Sequence, residues 1–474
     1  MYKEWLIPIL QFSSRRKWFF FALVCAGVLL LLPPPATLSR EGMATLAIVL
    51  FSVICFVTEP IPLPTVPLLI AVLQVLTGIA RPNEVARSFM SDAVFFIMGS
   101  LMLAVALVKQ NLDKRLALLI LRFTGPKVER VVFGVIAVSA LVSSVIGGHT
   151  VAALMLPVVL SLIRLASDKP DQIRNLTTLL LLSIAYGGNV ASLGTPSGGA
   201  RNAIMIDYLD RLYGVQVSYF QWVKFAYPLA LVQIPLLWVV LLRTFPPERR
   251  DLSEALRTLQ HQVQAAGKLH GNDWLAIGIF ALTFLLWMTA STTFGLGTIA
   301  LLGVSLYLVC GLVRWEDLNN NVNWGVVLLY AGALSIGIAM RKTGAAQWVA
   351  ETFVTFLQVP GLSDVPLFFA IGGLTIVMAN IMGQGPAVAV LGPILLSMAE
   401  ISHTSLLAAG FMTAFAASIV KLTVIGAPPC AIVYSSGYLR GGDFLRGGWR
   451  MTLLSWGLLL LFRYFYWPLL GLSP

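Results

Sequence analysis

The sequence predicts an all-α membrane protein of about 11 transmembrane helices plus two re-entrant hairpins in an inverted repeat. Three observations predict it. The 474 residues are 58% hydrophobic and only 11% charged, whereas soluble domains carry roughly 25% charged residues. A chain this long and this poor in charge cannot cover itself with a polar surface, so lipid must be its solvent. The apolar residues also fall in long unbroken runs, such as Trp18 to Leu32, Leu275 to Ala290 and Leu453 to Leu470, and about 20 apolar residues span a bilayer core. In lipid only helices or closed barrels satisfy the backbone, and continuous rather than alternating runs favour helices. The third observation is a pattern that occurs twice.

Spans are expected at 18–32, 43–57, 63–79, 92–109, 175–206, 222–243, 273–291, 295–313, 323–341, 406–437 and 451–470, with hairpins at 130–165 and 366–400. Met1 to Lys17 mixes apolar residues with Arg15 and Arg16 and reads as an interfacial helix rather than a cleaved signal. Four regions follow: 1–91 as scaffold, 92–245 as a first repeat, 246–272 as a cytoplasmic linker and 273–474 as a second repeat. The net charge of +11 is assigned to loops that orient helices, not to nucleic acid. Basic residues crowd the loops that share a side with the N-terminus, from Lys114, Arg115, Arg122, Lys127 and Arg130 through Arg164, Lys169 and Arg174 to Arg243, Arg249, Arg250, Arg257 and Lys268, then Arg440, Arg446 and Arg450. The opposite loops hold Arg40, Arg81, Arg87, Arg211, Arg341 and Lys342. That asymmetry places the N-terminus in the cytoplasm of a multi-pass cell (inner) membrane protein. Cys25, Cys55, Cys310 and Cys430 form no disulfide framework, and His149, His261, His270 and His403 do not pair at metal spacing, so no metal is expected.

The repeat is read residue by residue. Phe95 to Lys109 aligns with Leu328 to Lys342, matching Gly99 to Gly332 and Lys109 to Lys342. A hairpin follows each, SSVIGGHTVAALMLP at 143–157 and ANIMGQGPAVAVLGP at 379–393. Then comes a helix interrupted by glycine and proline, YGGNVASLGTPSGG at 186–199 and KLTVIGAPPC at 421–430. Five spans separate equivalent points; an odd number inverts the second half. Inverted repeats with interrupted helices point to a substrate site near the bilayer midplane.

The candidate substrate-binding residues are the hairpin tips and the breaks. Gly147, Gly148, His149 and Thr150 form one tip, and Gly383, Gln384 and Gly385 the other. A second arm starting there offers free N–H groups and a positive dipole end to an anion. The plainer reading is a packing loop between short helices, but the feature occurs twice in register. In the breaks, Thr195 and Pro196 face Ala427 and Pro428 as counterparts. Unwound backbone at Gly194 and Gly426, with Ser144, Asn189, Asn380 and Thr423 beside it and His149 at the tip, supplies the ion-coupling candidates. Arg201 and Asn202 are read as lying near the outer face, guiding anions or anchoring a helix end. Trp222 and Lys224 are read as an interfacial anchor, and Glu59 as solvated.

These residues carry a resemblance. SLGTPSGGARNAI at 192–204 and VIGAPPCAIVYSSGYL at 424–439 are similar to the paired breaks of the divalent anion/sodium symporter family, whose members move di- and tricarboxylates or sulfate. The resemblance covers nearly all of the chain. It implies an elevator-type transporter, a homodimer, and a scaffold beside a mobile subdomain. The motifs depart from the family: Gly147, Gly148 and His149, or Gly148, His149 and Thr150, stand where serine, asparagine and threonine are expected. Gly383, Gln384 and Gly385 replace the second triplet, Ser197 and Gly198 replace proline and asparagine, and Cys430 replaces asparagine. These departures remove several expected sodium and substrate ligands, so the coupling ion stays open between sodium, proton and none, and no other cofactor is expected. Lys421, an intramembrane lysine, is read as a fixed positive charge in the place of sodium, against the plainer reading of a snorkelling side chain. The expected function is sodium-independent movement of small anions by proton symport, exchange or uniport. A non-transporting sensor or subunit, and a sulfate or sulfonate carrier, stand as alternatives. An enzyme ranks last, since no metal cluster, Ser/His/Asp set or paired carboxylates occur.

Overall fold

The computed structural model of this chain describes residues 16–35, 37–110, 125–167, 170–253, 271–356, 364–424 and 426–472. Most of the expected interfacial helix, the loop with Lys114, Arg115 and Arg122, and the linker with Arg257, His261, Lys268 and His270 lie outside the described residues, as does Lys169.

The described chain is helical throughout. The first group is α1 (Lys17–Leu31), α2 (Arg40–Thr58), α3 (Thr65–Leu76), α4 (Pro82–Phe89) and α5 (Asp92–Lys109). A hairpin follows, α6 (Val128–Ile146) and α7 (Gly148–Ala166), then α8 (Arg174–Ala191), α9 (Ala200–Tyr213) and α10 (Tyr219–Thr244). The second group is α11 (Gly271–Phe294), α12 (Leu296–Val309), α13 (Trp315–Asn321), α14 (Trp324–Lys342) and α15 (Ala345–Phe356). A second hairpin, α16 (Asp364–Met382) and α17 (Gln384–Ile401), precedes α18 (Leu406–Ala416), α19 (Pro428–Tyr434) and α20 (Gly441–Leu461). Serines start several of them: Ser39, Ser91, Ser218 and Ser405 each accept a first-turn N–H, at 3.0 to 3.4 Å.

Among the described residues, nine helices are long and apolar enough to cross a membrane. This differs from the expected map in two ways. Both arms of each hairpin are among the nine, so by length an arm can cross fully. The second broken helix is divided instead into short pieces, α18 of 11 residues and α19 of 7, and the first into α8 of 18 residues and α9 of 14. Short helices α4, α13 and α15 also form where only loops were expected.

Long-range ion pairs tie the loops together. Lys109 at the end of α5 meets Asp317 of α13 at 2.7 Å, and Lys342 at the end of α14 meets Glu84 of α4 at 3.0 Å. Since α4 leads into α5 and α13 into α14, each of these long helices ends where the other begins. They therefore run in opposite directions. The start of the first hairpin and the start of α8 both fasten to the segment after α10: Val128 N donates to Arg250 O at 3.1 Å, and Asn175 N to Glu248 Oε1 at 2.8 Å.

The core lies around α8, whose residues from Leu176 to Ala191 are all buried. Gly187 lets α8 approach Ile136 of α6, where a Cβ would stand 2.9 Å from the Ile136 carbonyl oxygen. This corrects one expectation: Tyr186 to Ala191 stay helical, because the glycines there serve close packing and the chain unwinds only after Ala191. Trp222 is a second correction. α10 begins at Tyr219, which turns Trp222 inward. It is fully buried, packs edge-on against Phe411 and Phe415 at 5.2 Å each, and donates Nε1–H to Leu193 O at 2.9 Å. Lys224 and Glu59 are exposed, as expected.

Candidate functional site

Each hairpin turns on a single glycine. Gly147 has φ 84° and ψ 145°, and Gly383 has φ 91° and ψ 157°. Only glycine occupies that region readily. One residue in this conformation reverses the chain direction, so the next arm starts immediately with unpaired N–H groups. Those groups belong to Gly148, His149 and Thr150 in the first tip and to Gly385 in the second.

The breaks fold against the tips in matching ways. The Thr195 hydroxyl donates to Ser144 O, in the arm before Gly147, and accepts from Gly198 N at 3.0 Å. The Thr423 hydroxyl donates to Asn380 O at 2.7 Å, in the arm before Gly383, and accepts from Gly426 N at 3.1 Å. Ser144 and Asn380 lie at the same distance along the chain from their glycines, and the two threonines at the same distance from theirs. Asn380 Oδ1 also accepts from Leu422 N at 3.1 Å. Pro196 opens a 3-10 turn, Pro196–Gly198, and Pro428 opens α19 directly after Ala427. The second break begins earlier than expected, at Ala417.

Tips and breaks from opposite halves meet. A Cβ on Gly148 would stand 3.0 Å from Pro429 Cγ. Asn189 Nδ2 donates across the halves to Val420 O at 3.0 Å, while within the second half Gln384 N donates to Gly426 O at 3.2 Å. Gly194 packs on the Tyr227 ring. His149 and Thr150 are half-buried, and no described residue hydrogen-bonds either side chain, so both tip side chains remain available to a ligand.

At the centre stands a residue that sequence reasoning undervalued. Arg201 and Asn202 do not lie at the outer face. The turn after Thr195 folds the first turn of α9 back under the break, and Asn202 Nδ2 staples it there through Ser192 O (2.9 Å) and Thr195 O (2.8 Å). Arg201 is only 4% exposed. Its guanidinium donates to Ser418 Oγ, Gln384 Oε1 and Ser192 Oγ, each at 2.7 Å. These partners come from the first break, the second tip and the second break, and all are neutral. Among the described residues no carboxylate pairs with Arg201. The signal that could have found it is the one applied to Lys421: a cation in an apolar segment with no acid nearby. Tyr330 of α14 was also missed; its ring closes over Gly385, where a Cβ would meet the hydroxyl at 2.6 Å.

Lys421 is fully buried in the second break. Its amine does not point at the tips. It reaches Ser455 Oγ of α20 at 3.5 Å, while its backbone carbonyl accepts from Tyr186 Oη at 2.8 Å. Elsewhere, a cleft lined by Asp92, Asp207, Asp210 and Arg211 is acidic on balance and repels anions. The region around Arg201 is therefore the candidate anion site: a permanent cation, two helix starts and free polar tips, with no acid beside them.

A family model described as the sodium:sulfate symporter transmembrane region matches residues 14–473. The sodium-dependent dicarboxylate transporter SdcS of Staphylococcus saprophyticus is 25% identical over 456 residues, covering 91% of this chain and 87% of that protein. SdcS of Staphylococcus aureus is 25% identical and covers 90% and 86%. Two solved structures share the fold. The Alcanivorax borkumensis YdaH transporter has a TM-score of 0.54 at 14% identity, covering 85% of this chain and 89% of that one. Neisseria gonorrhoeae MtrF, described among antimetabolite efflux pumps, has a TM-score of 0.55 at 12% identity, covering 96% and 94%.

Proposed function

The chain belongs to the sodium:sulfate symporter transmembrane-region family, and on that premise we propose that it carries small anions, di- and tricarboxylates first, across the cell membrane without sodium. The family is one of transporters, not enzymes. One observation carries the sodium-independent reading: Arg201 stands buried among Ser192, Gln384 and Ser418, with no acid among the described residues to neutralise it. A guanidinium stays charged at any physiological pH. A buried charge requires a counter-charge, and an arriving carboxylate supplies it. The curated relatives are named as sodium-dependent dicarboxylate transporters; here a fixed cation takes the part of a bound one. The substrate contacts are the N–H groups of Gly148, His149 and Gly385, the Gln384, His149 and Thr150 side chains, and the Thr195–Pro196 and Ala427–Pro428 segments.

We propose also that the halves form an inverted repeat. Its support is the matched pair of threonine bonds and the opposite directions of α5 and α14. The two hairpins then enter and leave on one side each. The ion pairs agree with this topology. Lys109–Asp317 and Arg174–Asp443 join loops assigned to the cytoplasm, and Lys342–Glu84 and Arg341–Glu400 join loops assigned outside. α1 to α5 and α11 to α15 are assigned to a scaffold that pairs in a homodimer. The hairpins, broken helices, α10 and α20 are assigned to the body that moves as an elevator.

The test is thermal unfolding of the purified protein with succinate, citrate, sulfate and a sulfonate, in choline salts and then in sodium salts. At least one anion raises the melting temperature with concentration in choline. Arg201→Gln weakens that effect by roughly tenfold or more, since a charged hydrogen bond contributes about 1.5–3 kcal/mol; Arg201→Lys weakens it less. Stabilisation that needs sodium, or that survives Arg201→Gln intact, rules the reading out. Sulfate stands second because the family description names it, and the panel ranks it directly.

A further inference from the structure

Lys421 has no part in the anion site as drawn, yet it is as deeply buried as any residue in the protein. Its surroundings are unusual for an ammonium group. The amine has one long hydrogen bond, to Ser455 Oγ at 3.5 Å. Ser455 passes its own hydrogen to Gln233 Oε1 of α10 at 2.9 Å. Gln233 is buried, and its Nε2 has no partner among the described residues. The titratable groups around the amine are Cys430 of α19 and, on the backbone side, Tyr186 of α8, a phenol and a thiol that are neutral at ordinary pH. α10 and α20 present only Gln233 and Ser455. Asp443 at the start of α20 acts on Tyr186, and it is committed to Arg174 at 3.6 Å and to the Arg440 N–H at 2.8 Å.

An amine held this way has no counter-ion among the described residues. Unlike a guanidinium, it can shed its proton rather than bear an uncompensated buried charge. The position is nevertheless linked to the anion site. Arg201 bonds Gln384, Gln384 Nε2 reaches Asn189 Oδ1 at 3.5 Å, and Asn189 Nδ2 bonds Val420 O, the residue before Lys421.

We propose that Lys421 is the proton-binding residue of the transport cycle: neutral in the empty carrier, it takes a proton from solvent when the anion binds, so that anion and proton cross together. This rests on the anion-carrier reading and deepens it. The step is R–NH2 + H+ → R–NH3+; no bond to carbon changes and nothing is oxidised. Release of the anion on the other side returns the proton to solvent. The charges then match a class of substrate. Arg201 and protonated Lys421 together balance a dianion, so the loaded body is neutral as it moves through low dielectric. By linkage, protonation must raise anion affinity by the same factor as the anion raises proton affinity.

The experiment is titration calorimetry of the full-length protein with succinate and with sulfate near neutral pH, in buffers of differing ionisation enthalpy. Wild type takes up about one proton per anion bound. Lys421→Arg, which carries a permanent charge, binds the anion with no proton uptake, and so does Lys421→Met if it folds. His149→Gln removes a substrate contact and lowers affinity, but the uptake per anion bound stays at about one proton. Anion binding by wild type without proton uptake overturns the Lys421 proposal and leaves the anion-carrier reading standing, as does full uptake in Lys421→Arg or loss of it in His149→Gln alone. No binding of any anion overturns both.

Discussion

Gly147 and Gly383 hold the tips in a conformation that a side chain resists, with φ near 84° and 91° respectively. Neither position lacks room: the nearest atoms to a Cβ would be 3.4 Å away at Gly147 and 3.8 Å at Gly383. The penalty for a substitution is therefore conformational rather than steric. Gly147→Ala and Gly383→Ala are each expected to destabilise by about 1–3 kcal/mol, read as a lowered melting temperature in detergent. Gly441→Ala, with open space and an ordinary φ, is the control and stays close to wild type. At this scale the tips were readable in sequence, because a polar glycine pair inside an apolar segment has few other uses. Arg201 was underread for the opposite reason. Its linear neighbours say only that it follows a break, and the fold of the Pro196–Gly198 turn is what places it in the core. Trp222 was misread as an anchor on the same grounds, since its partner Leu193 lies in the break and not in its own helix.

The elements show where hydropathy stops being informative. α5, α14 and the hairpin arms were placed within a few residues, because each is a long apolar run, and α5, α14, α7 and α17 also have a serine, an asparagine or a glycine at their start. The short helices α4 and α13 escaped notice, being too short and too polar to register as spans. They matter through the ion pairs they accept. The hydrogen bond from Lys342 holds the Glu84 carboxyl below its ordinary pKa, and that from Lys109 does the same for Asp317. A carboxylate with a lowered folded value adds stability above its unfolded pKa, and loses it as pH falls through the folded value. The pairs therefore hold α4 against α14 and α13 against α5 at neutral pH and release them in acid. The Lys109→Ala, Lys342→Ala double variant is expected to unfold at a lower temperature than wild type at pH 7, with the two curves converging below the carboxylate range. Curves separated equally at pH 7 and pH 3 contradict this. Glu84 is exposed and Asp317 partly so, so the difference at pH 7 is small and shrinks with added salt.

For the whole molecule, the arrangement that brings the halves together also concentrates charge. Each tip is closed by a break, each break is anchored by a threonine, and Arg201 bonds across from one half to the other. The helical membrane class was legible because composition acts over hundreds of residues. The charge at the centre was not, because it depends on a side chain from one half finding neutral partners in the other. The family pattern alone points to sodium as the coupling ion, whereas the geometry supplies a cation that never leaves. The measurement that separates these is uptake of labelled succinate into proteoliposomes, with sodium replaced throughout by N-methylglucamine. The account predicts uptake in the sodium-free medium, no increase when sodium is restored, and loss of uptake in Arg201→Gln. Uptake that begins only when sodium is added contradicts it.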